Sequence, residues 1–169
     1  MELRLYTDAD WNGDASTTKS TNGCWLELYS PASGRTWAIA WSSTLQTSTS
    51  SSTCEAETVS LSKGLRTEAL PVQDLMEQFL GRRLPVVCQV DNDQAITAVR
   101  KGYSKKLRQL ARTHRVSVGV IHECISDPRM LVDVVHCGTL DMKGDMFTKA
   151  LLPAPYLRMR EMLGILPDA

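Results

Sequence analysis

The sequence predicts an α/β fold in which helices flank a mixed β-sheet. Three observations lead to this prediction: short strand-like segments open the chain, turn residues separate them, and apolar helical periodicity starts only after residue 52. Two turns between the first three strands imply an antiparallel meander. The later alternation of strands and helices extends the same sheet, so we expect a five-stranded mixed sheet.

The first three strands are predicted over residues 3–7, 24–29 and 35–41. Apolar and polar residues alternate in the first strand, which places its two leucines on one face and leads to Asp8 at its end. Asn22-Gly23 supplies the turn before the second strand. We expect Trp25, Trp37 and Trp41 to be core residues of the meander.

A segment rich in serine and threonine, residues 42–53, leads into the first helix. Ser52 and Glu55 fit a capping box, and apolar residues at helical spacing continue to Leu70. We expect Pro71 to kink or split this helix before a second helical piece ends near Gly81.

The second half of the chain alternates between strands and helices. Predicted strands cover residues 86–90 and 130–135, and predicted helices cover residues 93–101, 104–114, 142–152 and 156–163. Residues 116–122 are rich in β-branched side chains, and a strand or a continued helix both remain open there. Pro153 is expected to end the helix over 142–152. We divide the chain into a domain over residues 1–152 and a short C-terminal helical tail over residues 153–169.

Carboxylates occur at the edges of elements that are far apart in the chain. Asp8 ends the first strand, Asp91 ends the strand over residues 86–90, and Asp145 lies near the C-terminal end. Such carboxylates suggest a metal site assembled by folding, and oxygen ligands suit Mg²⁺ or Mn²⁺. We therefore interpret the chain as a metal-dependent enzyme acting on phosphates. Asp10 is an alternative auxiliary ligand, and Asp141 is a weaker one.

Composition excludes several classes of protein. A chain of 169 residues with 43% hydrophobic and 22% charged residues fits one globular domain. Its five cysteines never form a C-x-x-C pair, which argues for reduced thiols and against a disulfide framework or a structural zinc site. The sequence has neither a signal peptide nor an apolar run near 18 residues. We expect an intracellular protein, in the cytoplasm or the nucleus, that does not bind membranes.

The net charge is zero, but the charges are unevenly distributed. The basic residues of one segment are Arg100, Lys101, Lys105, Lys106, Arg108, Arg112 and Arg115, with no acidic residue between them. A segment of this kind is typical of nucleic-acid binding through phosphates, although a solvated helix face is the alternative.

Six sequence blocks also carry a family resemblance. The blocks are, in order, Tyr6-Thr7-Asp8-Ala9-Asp10-Trp11, Lys19-Ser20-Thr21-Asn22-Gly23, Ala40-Trp41-Ser42-Ser43, Ser52-Thr53-Cys54-Glu55-Ala56-Glu57, Val90-Asp91-Asn92 and Gly144-Asp145-Met146-Phe147-Thr148-Lys149. This series resembles the ribonuclease H domain of copia-type (LTR) retrotransposon Pol polyproteins, and it covers residues 1 to about 152.

The resemblance implies a ribonuclease H-like fold and a metal-dependent endonuclease that hydrolyses the RNA strand of RNA/DNA hybrids during reverse transcription. It assigns Asp8, Glu57, Asp91 and Asp145 to catalysis and to two Mg²⁺ ions, for which Mn²⁺ can substitute. Glu55 is the alternative to Glu57 and otherwise caps the helix. The resemblance also implies a reverse transcriptase domain in the same polyprotein as a partner, and products with 5′-phosphate ends.

Departures from the family pattern keep a second hypothesis open. Cys54 stands where the family usually has threonine, and Thr58 replaces an aromatic residue. The alternative is a catalytically silent, retrotransposon-derived module that binds nucleic acid or is purely structural. An integrase or transposase is a third option, which the four separate carboxylates disfavour. His136 is a candidate for assisting proton transfer, and Trp11 is a candidate for substrate contact.

Overall fold

The computed structural model describes residues 1–165, which form one five-stranded mixed sheet flanked by helices. The strands are β1 (Glu2–Asp10), β2 (Thr21–Ser30), β3 (Arg35–Leu45), β4 (Val86–Val90) and β5 (Val132–His136). Their order in the sheet is β3-β2-β1-β4-β5. The first three strands pair antiparallel, and β4 pairs parallel with both β1 and β5. The predicted fold class is confirmed.

The α-helices are α1 (Thr53–Gly64), α2 (Leu70–Leu80), α3 (Asp93–Lys101), α4 (Leu110–Thr113), α5 (Val118–Ser126) and α6 (Pro153–Met162). A π-helical turn over Leu65–Ala69 joins α1 to α2. Pro71 is the second residue of α2 within this continuous helical backbone, and the wider π-helical turn before it accommodates its ring and its missing N–H. The expected split at Pro71 is therefore a local π-helical turn rather than a break.

The main core lies between the sheet and helices α1, α3 and α5. The buried leucines of β1 and β2 pack with Leu61 and Leu65 of the helical layer, and with the valines of β4 and β5. A smaller cluster on the other face of the sheet contains Tyr6, Trp25 and Met142. The alternation of β1 thus separates an apolar face from the face that carries Tyr6 and Asp8.

Leu163, which directly follows helix α6, packs in the smaller cluster, and Met159 of α6 is also buried. The division into a domain over residues 1–152 and a tail over residues 153–169 stays a prediction, and residues 166–169 lie outside the described part. Within residues 1–165, no helix is long and apolar enough to cross a membrane.

The predicted helix over residues 142–152 is wrong. The segment contains a short 3₁₀ turn, Lys143–Phe147, preceded by another over Thr139–Asp141. Pro153 begins α6 instead of ending a helix, which fits the preference of proline for the first helical turn. Long-range contacts of Lys143 and Asp145, described below, determine the backbone in this region.

The segment between α3 and β5 also differs from expectation. Residues 104–114 form a 3₁₀ turn, Lys105–Leu107, and the short helix α4 rather than one longer helix. The open choice for residues 116–122 is resolved as helix, since α5 begins at Val118 after an N-cap at Ser117. The cap oxygen accepts a hydrogen bond from Val120 N, which satisfies one of the free donors of the first turn.

Two of the three tryptophans expected in the core are exposed. Trp37 is 49% exposed and Trp41 is 63% exposed, whereas Trp25 is buried. Both exposed residues lie on β3, which is an edge strand of the sheet. The face of Trp41 is covered only in part, by stacking on Trp25 with ring centroids 6.2 Å apart.

Candidate active site

Three carboxylates from separate parts of the chain converge at the carboxyl ends of the neighbouring strands β1 and β4. Asp8 lies on β1, Asp91 directly follows β4, and Asp145 lies on the 3₁₀ turn over Lys143–Phe147. One oxygen atom of each carboxylate lies within 4.8 Å of the others. Because β1 and β4 are parallel neighbours, their carboxyl ends deliver two of these side chains to the same place.

Glu57 lies next to this cluster on the buried side of α1. Its Oε1 accepts a hydrogen bond of 3.2 Å from the backbone N of Ala9, and its Oε2 has no partner among the described residues. Burial, reinforced by the negative charges of Asp8 and Asp91, raises the pKa of Glu57 to about 9. A buried oxygen of this kind is one that a cation would satisfy.

Glu55 has a different role from Glu57 in the structure. Its backbone N donates to the side chain of the N-cap residue Ser52 at 3.2 Å. Its Oε2 accepts hydrogen bonds from the backbone N of Ser51, at 2.9 Å, and from the Ser51 hydroxyl. Glu55 is thus a capping residue, and the structure brings Glu57 rather than Glu55 to the three aspartates.

Two residues that the sequence reasoning did not assign to the site also contact it. Lys149 Nζ lies 2.6 Å from Asp145 Oδ1 and 3.3 Å from Asp8 Oδ1. The hydroxyl of Thr148 donates to Asp8 Oδ2. The spacing of four residues between Asp145 and Lys149 was the available signal, since it is the spacing of ion pairs on a helical turn.

The pKa values of these groups reflect their crowding. Burial raises the pKa of Asp145 to about 6, although the hydrogen bond from Lys149 opposes this shift. Burial and the charge of Asp8 also raise the pKa of Asp91. Burial lowers the pKa of Lys149. Its hydrogen bond to Asp145 and the charge of Asp8 together raise the pKa by more than burial lowers it, so the pKa lies above its usual range.

Glycines allow the loop of Asp145 to approach the sheet closely. A Cβ atom on Gly23 of β2 would lie 2.6 Å from the carbonyl oxygen of Gly144 and 2.5 Å from Thr148 Cγ2. A Cβ atom on Gly144 would lie 3.0 Å from both the Cβ and the backbone N of Asp8. Both positions therefore need glycine if Asp145 is to reach Asp8.

A buried ion pair holds the same loop to the sheet. Lys143 Nζ lies 2.5 Å from Glu27 Oε2 of β2, and both side chains are buried. Trp25 Nε1 donates to the same carboxylate at 2.8 Å, and the Tyr6 hydroxyl donates to it at 3.4 Å. Lys143 also lies 5.2 Å from the centroid of the Tyr6 ring. Because Lys143 is only two residues before Asp145, this pair determines where the third carboxylate lies.

The remaining acidic candidates lie outside the cluster. Among the described residues, the group close enough to share an ion consists of Asp8, Asp91 and Asp145 alone. Asp10 is half-buried at the end of β1, and Asp141 pairs with Arg158 at 3.3 Å.

The two other single residues singled out from the sequence are both exposed. His136 is exposed at the end of β5, beside Val90 in the sheet register, and its Nε2 is 4.0 Å from Asp93 Oδ1. Trp11 is 44% exposed, and its indole N–H donates to the carbonyl of Ser50 at 2.9 Å. The assigned roles of His136 and Trp11 stay predictions.

The seven basic residues do not lie on one helix face, because they are spread over α3, a 3₁₀ turn, α4 and the residues that follow these turns. Arg100 is tied to β5, where it pairs with Asp133 at 3.1 Å and donates to the Val134 carbonyl at 2.8 Å. Arg112 is exposed on α4. At least one of the seven basic residues, Arg100, is thus engaged within the protein.

The other basic residues surround surface cavities. Lys101, Lys105 and Lys106 line a cavity of about 490 Å³ beside α3. Arg108 lines a neighbouring cavity of about 340 Å³, and Arg115 lines one of about 470 Å³ near the end of β3. The assignment of these residues to nucleic-acid binding stays a prediction.

No protein-family model matches the chain. The chain is 28% identical over 165 residues to the retrovirus-related Pol polyprotein from transposon TNT 1-94 of Nicotiana tabacum. This similarity covers 96% of the chain but only 11% of the polyprotein, so the chain spans about a tenth of the length of that relative.

Two solved structures resemble the fold. LC11-RNase H1, isolated from compost by a metagenomic approach, has a TM-score of 0.59 at 14% identity, over 87% of this chain and 92% of that one. RNase H1 from the halophilic archaeon Halobacterium salinarum NRC-1 has a TM-score of 0.53 at 13% identity, over 85% of this chain and 91% of that one. These similarities confirm the fold that the sequence predicts.

Proposed function

We propose that this chain, a ribonuclease H-like domain of the retrotransposon Pol type, hydrolyses the RNA strand of RNA/DNA hybrids during reverse transcription. The observation that carries the proposal is the convergence of three carboxylates, Asp8, Asp91 and Asp145, within 4.8 Å at the end of the central strands. Glu57 is the fourth carboxylate, and its Oε2 has no partner in the described part of the chain. Together these residues form the catalytic set.

The donor set fits divalent metal ions. All four side chains offer oxygen atoms, which Mg²⁺ prefers and Mn²⁺ accepts. The unpartnered oxygen of Glu57 and its raised pKa indicate a place where positive charge would be stabilised. When bound, two such ions would activate a water and stabilise the leaving 3′-oxygen of the RNA, which gives 5′-phosphate and 3′-hydroxyl ends. Asp8, Glu57, Asp91 and Asp145 would hold them.

Substrate binding would use the basic residues beside this site. Lys101, Lys105 and Lys106 are oriented around one cavity, where backbone phosphates of a hybrid can pair with them. Binding through phosphates and 2′-hydroxyls distinguishes a hybrid by its shape rather than by its sequence. A reverse transcriptase domain of the same copia-type polyprotein would deliver the hybrid. This role implies an intracellular location, in the cytoplasm or the nucleus.

One observation favours a second candidate, a catalytically silent module that binds nucleic acid or is purely structural. Lys149 already pairs with two of the four carboxylates, Asp8 and Asp145. A lysine ammonium in this place neutralises charge that a metal ion would otherwise neutralise. A silent module would keep the fold and this ion pair, but it would not bind metal ions at the cluster.

Cleavage of a labelled RNA/DNA hybrid in Mg²⁺ or Mn²⁺ tests the proposal. We expect wild type to cut the RNA strand and Asp91→Asn to be inactive, because the variant loses a negative ligand without losing side-chain volume. Asp74→Asn is the matched control, since Asp74 is an exposed aspartate on α2, and it should cut at the wild-type rate.

The outcomes separate the candidates. A folded wild-type protein that leaves the hybrid intact in both metals, but still binds it, would support the silent module. Cleavage of duplex DNA in preference to the hybrid would instead indicate another nuclease activity on the same fold. Equal cleavage by wild type and Asp91→Asn would exclude the carboxylate cluster as the catalytic site.

A further inference from the structure

Lys149 contacts two of the three aspartates of the carboxylate cluster. Its Nζ lies 2.6 Å from Asp145 Oδ1 and 3.3 Å from Asp8 Oδ1, and its side chain is 35% exposed. The backbone of the turn fixes this arrangement, because Lys149 N donates to the carbonyl of Asp145 at 3.0 Å. Asp145 and Lys149 therefore project toward Asp8 from the same turn.

The charges around Lys149 explain its position. The carboxylates of Asp8, Asp91 and Asp145 repel one another at these separations, and Glu57 adds to the repulsion when it is ionised. Among residues 1–165, Lys149 is the cationic side chain that forms hydrogen bonds with members of this cluster. The ammonium group therefore offsets the repulsion and keeps Asp145 close to Asp8.

The same contacts create a competition. Lys149 contacts Oδ1 of Asp8 and Oδ1 of Asp145, so a metal ion bound among these carboxylates would compete with it for the same negative charge. A lysine ammonium is a compact positive charge, so a divalent ion bound between the same two carboxylates would repel it. The side chain has a flexible stem and is partly exposed, so it can move toward solvent.

We infer that Lys149 is a resident counter-ion of the active site, which holds the carboxylates together and which the first metal ion must displace. The inference rests on the proposed function, since it concerns the same metal site. It predicts that Lys149 stabilises the protein when metal ions are removed, and that it weakens metal binding. Lys149 is thus a positioning residue that limits metal affinity.

Calorimetric titration with Mn²⁺ and thermal unfolding in EDTA test the inference. Lys149→Met should bind Mn²⁺ about tenfold or more tightly than wild type, because the competitor is gone, and its Tm in EDTA should be lower. Lys149→Arg, which keeps the positive charge, should lie closer to wild type in both measurements. Lys19→Met is the control for the change in net charge, and it should match wild type.

A second variant covers the case in which Lys149→Met does not fold in EDTA. Asp145→Asn combined with Lys149→Met removes one charge of each sign, and its Tm in EDTA should return toward the wild-type value. If the double variant is as unstable as Lys149→Met, repulsion in the cluster is not the cause and the inference is overturned.

The two proposals fail in different ways. Equal or weaker Mn²⁺ binding by Lys149→Met than by wild type overturns the counter-ion role and leaves the metal site intact. Binding of Mn²⁺ by Lys149→Met but not by wild type supports the counter-ion role, and it identifies Lys149 as the reason for a silent site. Absence of Mn²⁺ binding in both folded proteins overturns this inference together with the proposed function.

Discussion

The buried ion pair between Glu27 and Lys143 should show strong energetic coupling. Two single variants and their combination test this: Glu27→Gln removes the negative charge, Lys143→Met removes the positive charge, and the double variant removes both. Glutamine can still accept the hydrogen bond that Trp25 Nε1 donates at 2.8 Å. Methionine retains the unbranched apolar part of the lysine side chain. The variants therefore change charge with little change in volume.

The expected magnitude follows from the burial of both partners. The side chains of Lys143 and Glu27 are 8% and 1% exposed, so either charge would be left without its partner in an apolar environment. Removing one partner of such a pair costs about 3–5 kcal/mol, whereas replacing both is often close to neutral. Each kcal/mol lowers Tm by about 2–4 °C in a domain of this size. We therefore expect each single variant to lose about 6–20 °C, and the double variant to recover most of this loss.

Urea unfolding followed by far-UV circular dichroism measures these free energies. Fluorescence is less suitable, because Trp25 is part of the network. The exposed pair between Asp141 and Arg158 is a matched control, and its removal should leave the unfolding midpoint unchanged. Additive losses in the Glu27 and Lys143 variants, with a double variant worse than either single one, would refute the reasoning.

Three further predictions concern the site and its surroundings. The pKa of Glu57 in the folded protein, about 9, lies above its ordinary value of 4.5. Between these two pH values the folded protein keeps a proton that the unfolded chain loses. The free energy of unfolding in EDTA should therefore fall as pH rises, by up to about 1.4 kcal/mol per pH unit. Thermal unfolding at several pH values checks this, and added Mg²⁺ should reverse the fall. Gly23→Ala should lower the free energy of unfolding in urea by about 1–3 kcal/mol and reduce hybrid cleavage, because its Cβ would meet the Asp145 loop. Gly119→Ala is the control: its Cβ makes only ordinary contact, so the variant should be as stable as wild type. Replacing Lys101 and Lys105 with glutamine should weaken hybrid binding. The slope of log K against log salt concentration should become smaller by roughly 0.7–0.9 for each phosphate that the variant no longer neutralises. An unchanged slope in filter-binding assays would contradict phosphate binding by these lysines.

Much of the sheet could be predicted because its signals are local. The apolar run at residues 86–90 lies between Pro85 and Asp91, and it matches β4. The helix over residues 93–101 was likewise predictable, since Asn92 caps it and Gly102 ends it in the left-handed conformation. Such features depend only on neighbouring residues, and the strand ends then locate Asp8 and Asp91.

The parts that could not be predicted depend on contacts between distant residues. The segment over residues 142–152 looks helical in isolation, but Lys143 pairs with Glu27, which is 116 residues away in sequence. The exposure of Trp41 follows from the position of β3 at the edge of the sheet. The sequence indicates that β3 is a strand, but it does not show that β3 pairs with another strand on one side only. The contact between Lys149 and Asp8 is long-range in the same way.

The carboxylates of the site depend on different elements of the fold. Asp8 and Asp91 come from β1 and β4, which pair in the middle of the sheet and are fixed by the main core. Asp145 comes from an irregular segment that depends on the Glu27–Lys143 pair and on close glycine contacts. Changes in this segment should consequently impair metal binding as well as lower stability. A copy of the domain could lose its activity in this way while all four carboxylates remain in the sequence, so the geometry of the Asp145 loop is the feature that decides between the enzyme and the silent module.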